Sequence, residues 1–118
     1  MTAIRGATTV SVNSAEEIGN AAAELVGEIM EKNLLTEEKV CAIIFSCTKD
    51  LTAAYPAKGA RERLGLVSTP MFCVQEQYVD GALERCVRAL VLCEIDGKNA
   101  RHIYLKGAIN LRRDLKLD

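Results

Sequence analysis

Arg88 carries a fixed positive charge through an apolar run. On one side of that run lie Cys86, Leu90 and Leu92, and on the other Val87, Ala89, Val91 and Cys93. A guanidinium keeps its proton in proteins, so here it requires a carboxylate partner or an anionic ligand. Glu76, closing the run that holds Phe72 and Val74, is the carboxylate on offer. An Arg–Glu pair that only ties neighbouring strands and a cation that receives an anion both fit these residues. Arg5 poses the same question from an otherwise uncharged opening stretch; the plainer alternative is a surface arginine on an edge strand. Lys58 and Arg61, three apart at the start of a helix, share one face. With the helix N-terminus they would attract a carboxylate or phosphate, unless they simply form a solvated basic face. Arg112 and Arg113 read as a charged tail.

Other chemistries find little support. Cys41, Cys47, Cys73, Cys86 and Cys93 form no CxxC pair, and His102 is the one imidazole, so a zinc tetrahedron has no spacing to build on. Cys41 and Cys93 lie in apolar runs, where cysteine behaves as a small hydrophobe. Cys73 with His102 is a formal nucleophile–base pair that lacks any local signature. There is no GxGxxG loop, no phosphate-binding loop ending in Gly-Lys-Ser/Thr, no Ser-His-Asp set and no acid–base carboxylate pair. The residues alone point to a domain whose arginines hold a small anion, with no metal or cofactor expected.

The elements that must position these residues follow from periodicity. Ala3 to Val10 reads as a strand, broken by small residues at Gly6 and Ala7. Ser14 and Glu17 form a capping box ahead of a helix whose apolar stripe is Ile18, Ala22, Leu25 and Ile29, ending near Asn33. Val40 to Phe45, apolar on both sides, predicts a buried central strand. Pro56 opens a second helix that Gly65 stops. Residues 67–75 predict a strand, 81–86 a short helical turn, 87–95 a strand and 101–105 a last strand. The order β-α-β-α-β-β-β implies an α/β or α+β layer structure, two helices covering one face of a mixed sheet. The other face would stay bare although its strands are apolar on both sides, so a second copy of the chain is expected to cover it.

The chain has 118 residues, 49% hydrophobic and 26% charged, with a net charge of −1. That length fits one domain, 1–118, and the charge balance offers no footprint for nucleic acid or a membrane surface. The longest apolar run is too short to cross a bilayer, and no apolar segment follows Arg5 as a secretory signal requires. A cytoplasmic protein is expected.

Several segments, in one order along nearly the whole chain, resemble the monofunctional chorismate mutases of the AroH class. They are Ile4-Arg5-Gly6-Ala7-Thr8-Thr9-Val10, Thr48-Lys49-Asp50-Leu51, Tyr55-Pro56-Ala57-Lys58, Cys73-Val74-Gln75-Glu76, Cys86-Val87-Arg88, Arg101-His102-Ile103-Tyr104-Leu105 and Leu111-Arg112. A small deletion falls around Asp96 to Asn99. The resemblance implies an α+β fold: a mixed sheet with helices on one face, three subunits forming a pseudo-α/β barrel with active sites in the clefts between them. It implies the 3,3-sigmatropic rearrangement of chorismate to prephenate, on the way to phenylalanine and tyrosine, with no cofactor or metal. By resemblance Arg88 donates to the ether oxygen and a carboxylate, Arg5 clamps carboxylate, and Tyr104 donates its phenol. Glu76 and Cys73 engage the ring hydroxyl, and Glu76 also orients Arg88. Phe72, Val74 and Gln75 complete that strand's share of the pocket. Lys58, Arg61 and Arg112 line the mouth, and Tyr55, Ala57 and Leu111 supply apolar wall.

Three departures accompany the resemblance. Phe72 replaces a residue that is often small and polar, and either narrows the pocket or turns into the core. Arg113 stands where proline is usual. Cys73 and Glu76 point to opposite faces of an ideal strand, so both reach one ligand only if the strand ends or bulges after Val74. A trimeric imine hydrolase or small carboxylate-binding protein of the Rid type is the alternative, but Cys-Val-Gln-Glu and Arg-His-Ile-Tyr have no reason to occur together there.

Overall fold

Apolar alternation and turn residues divide the chain much as expected, and the computed structural model describes residues 1–112. The strands are β1 (Thr2–Thr9), β2 (Val40–Cys47), β3 (Met71–Gln75), β4 (Cys86–Cys93) and β5 (Ile103–Tyr104), with helices α1 (Ala15–Lys32) and α2 (Pro56–Leu64). Short 3-10 segments occupy Glu37–Lys39, Gly97–Asn99 and Lys106–Arg112. The sheet runs β3-β2-β4-β1-β5; β4 is antiparallel to both β1 and β2, while β2/β3 and β1/β5 are parallel. Arg5 is therefore on an interior strand, not an edge.

Local chemistry explains where the boundaries differ from expectation. The Ser14 hydroxyl accepts from Glu17 N–H at 3.1 Å, but Ser14 N–H donates to Val12 C=O, so the Glu17 carboxylate takes the Ser11 hydroxyl instead. Only half of the capping box forms. Residues 81–86 form no helical turn, because Gly81 (φ 81°) and Arg85 (φ 48°) are left-handed and Arg85 N–H bonds Asp50 at 2.9 Å. β3 starts at Met71 rather than 67. Pro70 has no N–H, and the N–H groups of Ser68 and Thr69 both donate to the Glu37 carboxylate. The bond from Ser68 foremost, and then that from the Thr69 hydroxyl, hold the Glu37 carboxyl below its ordinary pKa.

Both helices lie on one face. Ile4, Ile43, Phe45, Val87 and Val91 are buried there with Ile18, Leu25 and Ile29 of α1. Gly6 keeps this contact close: a Cβ there would sit 2.8 Å from Ile29 Cδ1 and 2.9 Å from Leu25 Cδ1, so both side-chain tips would have to shift. The opposite face carries half-buried Ile44, Leu90 and Leu92 beside Phe72, which is 71% exposed. Phe72 does not turn into the core. Removing such a surface from water would gain roughly 25 cal/mol per Å².

Candidate active site

Period-two geometry gathers the charged residues onto the bare face. Arg5 in β1 and Arg88 in β4 project there with Ala7, Ser46, Val74 and Leu90. Tyr104, buried in β5 beside Ala7, and Leu111 of the last 3-10 segment close one end. Together they line a cleft of about 340 Å³.

Behind two of its lining residues stands Glu76: Arg88 Nε donates to Glu76 Oε2 at 3.1 Å, and Glu76 Oε1 accepts from the Ser46 hydroxyl. The expected Arg–Glu pair is formed. Nε makes this contact, and the guanidinium also lies within hydrogen-bonding reach of the Cys86 thiol. Sequence reading overlooked Ser46. Its signal was the polar end of an otherwise apolar strand, and Ser46 stands directly opposite Arg88 in the β2/β4 register.

The base of β4 is pinned by a second set of bonds. Thr48 Oγ accepts from Cys86 N–H at 2.9 Å and donates to Asp50, whose other oxygen accepts from Arg85 N–H. Arg85 Nε in turn reaches Val10 C=O at 3.2 Å. Burial pushes the Asp50 pKa upward, but the bonds from Thr48 and Arg85 outweigh it, and the net shift is down. Val87 alone separates Cys86, the β4 residue held by this anchor, from Arg88. Burial raises the Cys86 thiol, opposed by Arg88, and pushes Cys47 up to about 12. Neither thiol is a ready nucleophile.

The remaining expected residues lie elsewhere. Cys73 pairs in register with Phe45 and packs against the main core, on the helix side of β3. The strand runs unbroken through Gln75, and Glu76 N–H still bonds Cys47 C=O at 3.3 Å, so no bulge follows Val74. Cys73 and Glu76 thus point to opposite faces within one chain. Cys73 instead lines an edge cleft of about 610 Å³ with Tyr55, Ala57, Lys58, Arg61 and Phe72. Gln75 and Cys73 also border a larger cleft, about 930 Å³, between the 47–55 loop and the helices, which touches neither Arg88 nor Tyr104. The arginine cleft is the stronger candidate, because chemistry follows convergent polar groups and not volume. Arg112 ends the last 3-10 segment, and Arg113 lies outside the described residues.

A mixed sheet with helices on one face and paired arginines, a carboxylate and a phenol on the other defines an enzyme-like scaffold for a small anion. Residues 1–115 match the model of the family "Chorismate mutase type I". "Chorismate mutase AroH" of Bacillus subtilis is 40% identical over 116 residues, covering 97% of this chain and 91% of that protein. "Chorismate mutase AroH" of Thermus thermophilus is also 40% identical over 116 residues, covering 96% and 94% respectively. A solved chorismate mutase from Clostridium thermocellum superposes with a TM-score of 0.87 at 45% identity, covering 92% of this chain and 97% of that one. The chain belongs to the type I chorismate mutase family. It is an isomerase, a chorismate mutase, and among the described residues no helix is long and apolar enough to cross a membrane.

Proposed function

We propose that residues 1–118 act as one cytoplasmic domain converting chorismate to prephenate at sites completed between the subunits of a homotrimer. The observation that carries this reading is the division of the site residues. Arg5, Glu76, Arg88 and Tyr104 gather on the bare sheet face, while Tyr55, Lys58, Arg61, Phe72 and Cys73 gather at the β3 edge. One chain holds two half-sites, and a second copy docked on the apolar face brings the edge of one to the face of the other.

The rearrangement breaks a C–O bond and forms a C–C bond within one molecule, with no proton or electron pair leaving, so it calls for no cofactor. The protein then has two tasks. It holds a dianion in the diaxial, chair-like conformer, which is an orientation effect. It also stabilises the charge that builds on the ether oxygen, which helps only to the extent that the transition state gains more than the substrate. Arg88, held at Nε by Glu76, turns its terminal nitrogens to the ether oxygen and a carboxylate. Arg5 and Tyr104 bind carboxylate, Glu76 and Cys73 meet the ring hydroxyl, and Val74 and Gln75 flank them. Lys58, Arg61 and Arg112 draw the dianion to the mouth, walled by Tyr55, Ala57, Phe72 and Leu111.

Mixing two inactive variants tests the sharing. Arg88→Ala spoils the face half, and Lys58→Ala with Arg61→Ala spoils the edge half. After joint refolding at equal amounts, a site works only where an intact face meets an intact edge, so about a quarter of the sites recover under random closed assembly. Mixtures no more active than either variant alone overturn the shared site.

A further inference from the structure

β1 turns the backbone groups of Arg5, Ala7 and Thr9 toward β5, as the bond from Leu105 N–H to Ala7 C=O at 2.9 Å shows. β5 pairs with β1 only at Gly6 and Ala7. Continued one rung further, the parallel ladder would join Arg5 N–H to Arg101 C=O. That carbonyl is engaged otherwise: it accepts from Asn33 Nδ2 at 3.0 Å, and Arg101 N–H donates to Asn33 Oδ1 at 2.7 Å. Arg5 N–H donates instead to His102 Nδ1 at 3.0 Å. The imidazole takes the place of a missing strand carbonyl.

We propose that His102 is a positioning residue, fixing the Arg5 peptide so that the guanidinium, several bonds further out, is held over the cleft; this depends on the reading of Arg5 as a carboxylate clamp. His102 does not line the arginine cleft; its bond to the Arg5 peptide connects it to the site. A small backbone rotation at Arg5 moves its guanidinium by much more, and misplacement of about 1 Å is enough to degrade an oriented complex.

The geometry of the acceptor supplies the test. His102→Asn puts Oδ1 where Nδ1 stood, while His102→Leu keeps bulk and removes the acceptor. Amide exchange at Arg5 and steady-state kinetics with chorismate are measured on the assembled protein. In His102→Leu the Arg5 amide exchanges at least roughly tenfold faster. KM rises roughly tenfold with kcat little changed, the equivalent of one net hydrogen bond. His102→Asn restores both. Unchanged exchange in His102→Leu, or the same rise in KM for both variants, overturns the proposal. Should His102→Leu fail to fold, His102→Gln, whose oxygen lies one atom further along, gives the same contrast with His102→Asn. Arg5→Ala separates the two ideas. If it leaves KM unchanged, the reading of Arg5 is wrong; if it raises KM and His102→Leu does not, the positioning role is wrong.

Discussion

Replacing Arg88 separates catalysis from structure, because its surroundings make the two costs very different. The side chain is 44% exposed and Glu76 22% exposed in the isolated chain, so solvent screens the 3.1 Å pair. Glu76 also keeps the Ser46 hydroxyl when the guanidinium is gone. Loss of stability in Arg88→Ala is therefore about 1 kcal/mol or less, a fall in melting temperature of ~4 °C. Loss of a donor aimed at charge developing in the transition state costs about 3–4 kcal/mol, two to three powers of ten in kcat. Arg88→Lys keeps the charge but not the planar fork, so it cannot hold Glu76, the ether oxygen and a carboxylate at once. Lysine is expected to restore the melting temperature fully and kcat only in part. Thermal melts and single-turnover rates on chorismate, for both variants, decide the matter. Near-normal turnover in Arg88→Ala with a melting temperature far below the wild type would make Arg88 a structural ion pair and refute the mechanism.

Gly59→Ala and Gly27→Ala should move stability in opposite directions. A Cβ on Gly59 would lie 2.2 Å from Gly19 Cα, backbone against backbone, so α1 and α2 must separate and stability falls by ~2 kcal/mol. A Cβ on Gly27 meets nothing closer than Leu64 at 3.6 Å, and helix propensity alone should raise stability by up to about 1 kcal/mol; thermal melts of both compare the two. The lowered Asp50 pKa adds stability above the ordinary carboxylate value of about 4, and that contribution disappears as pH falls through the folded value. Asp50→Asn should flatten the loss of stability in that acid window, read from urea midpoints between neutral pH and pH 3. A variant with the same acid slope as the wild type would mean that Asp50 titrates alike in both states.

The order of elements was legible because each is decided locally. Pro56 opens α2, Gly65 ends it at φ 67°, and the Ile18–Leu25–Ile29 stripe has one burial to find. What escaped the sequence are places where a side chain stands in for backbone. Asn33 occupies both backbone groups of Arg101, Glu37 takes the N–H groups of Ser68 and Thr69, and Asp50 takes that of Arg85. Each cancels a strand or helical turn that periodicity allows, because a donor already satisfied cannot enter a ladder. None has a local sequence signature, since the partners lie 31 to 68 residues apart.

The candidate site was legible to a different degree for each of its halves. Arg88 and Glu76 could be paired from sequence, because a charge in an apolar run must find a partner and Glu76 is the carboxylate that closes the run holding Phe72 and Val74. Strand parity warned that Cys73 could not join them, and the strand answers by staying regular through Gln75. A regular β3 is no defect if the site is shared. As an edge strand it shows Val74 and Glu76 to its own sheet's bare face, and offers Cys73 and Phe72 to whatever lies beyond the edge. One unbroken strand can then serve two sites at once: Val74 and Glu76 from one face, Cys73 from the other, and Phe72, although on the face of Val74, at the edge cleft. A bulge bringing Cys73 beside Glu76 would complete one site only by removing the edge that the neighbouring site needs.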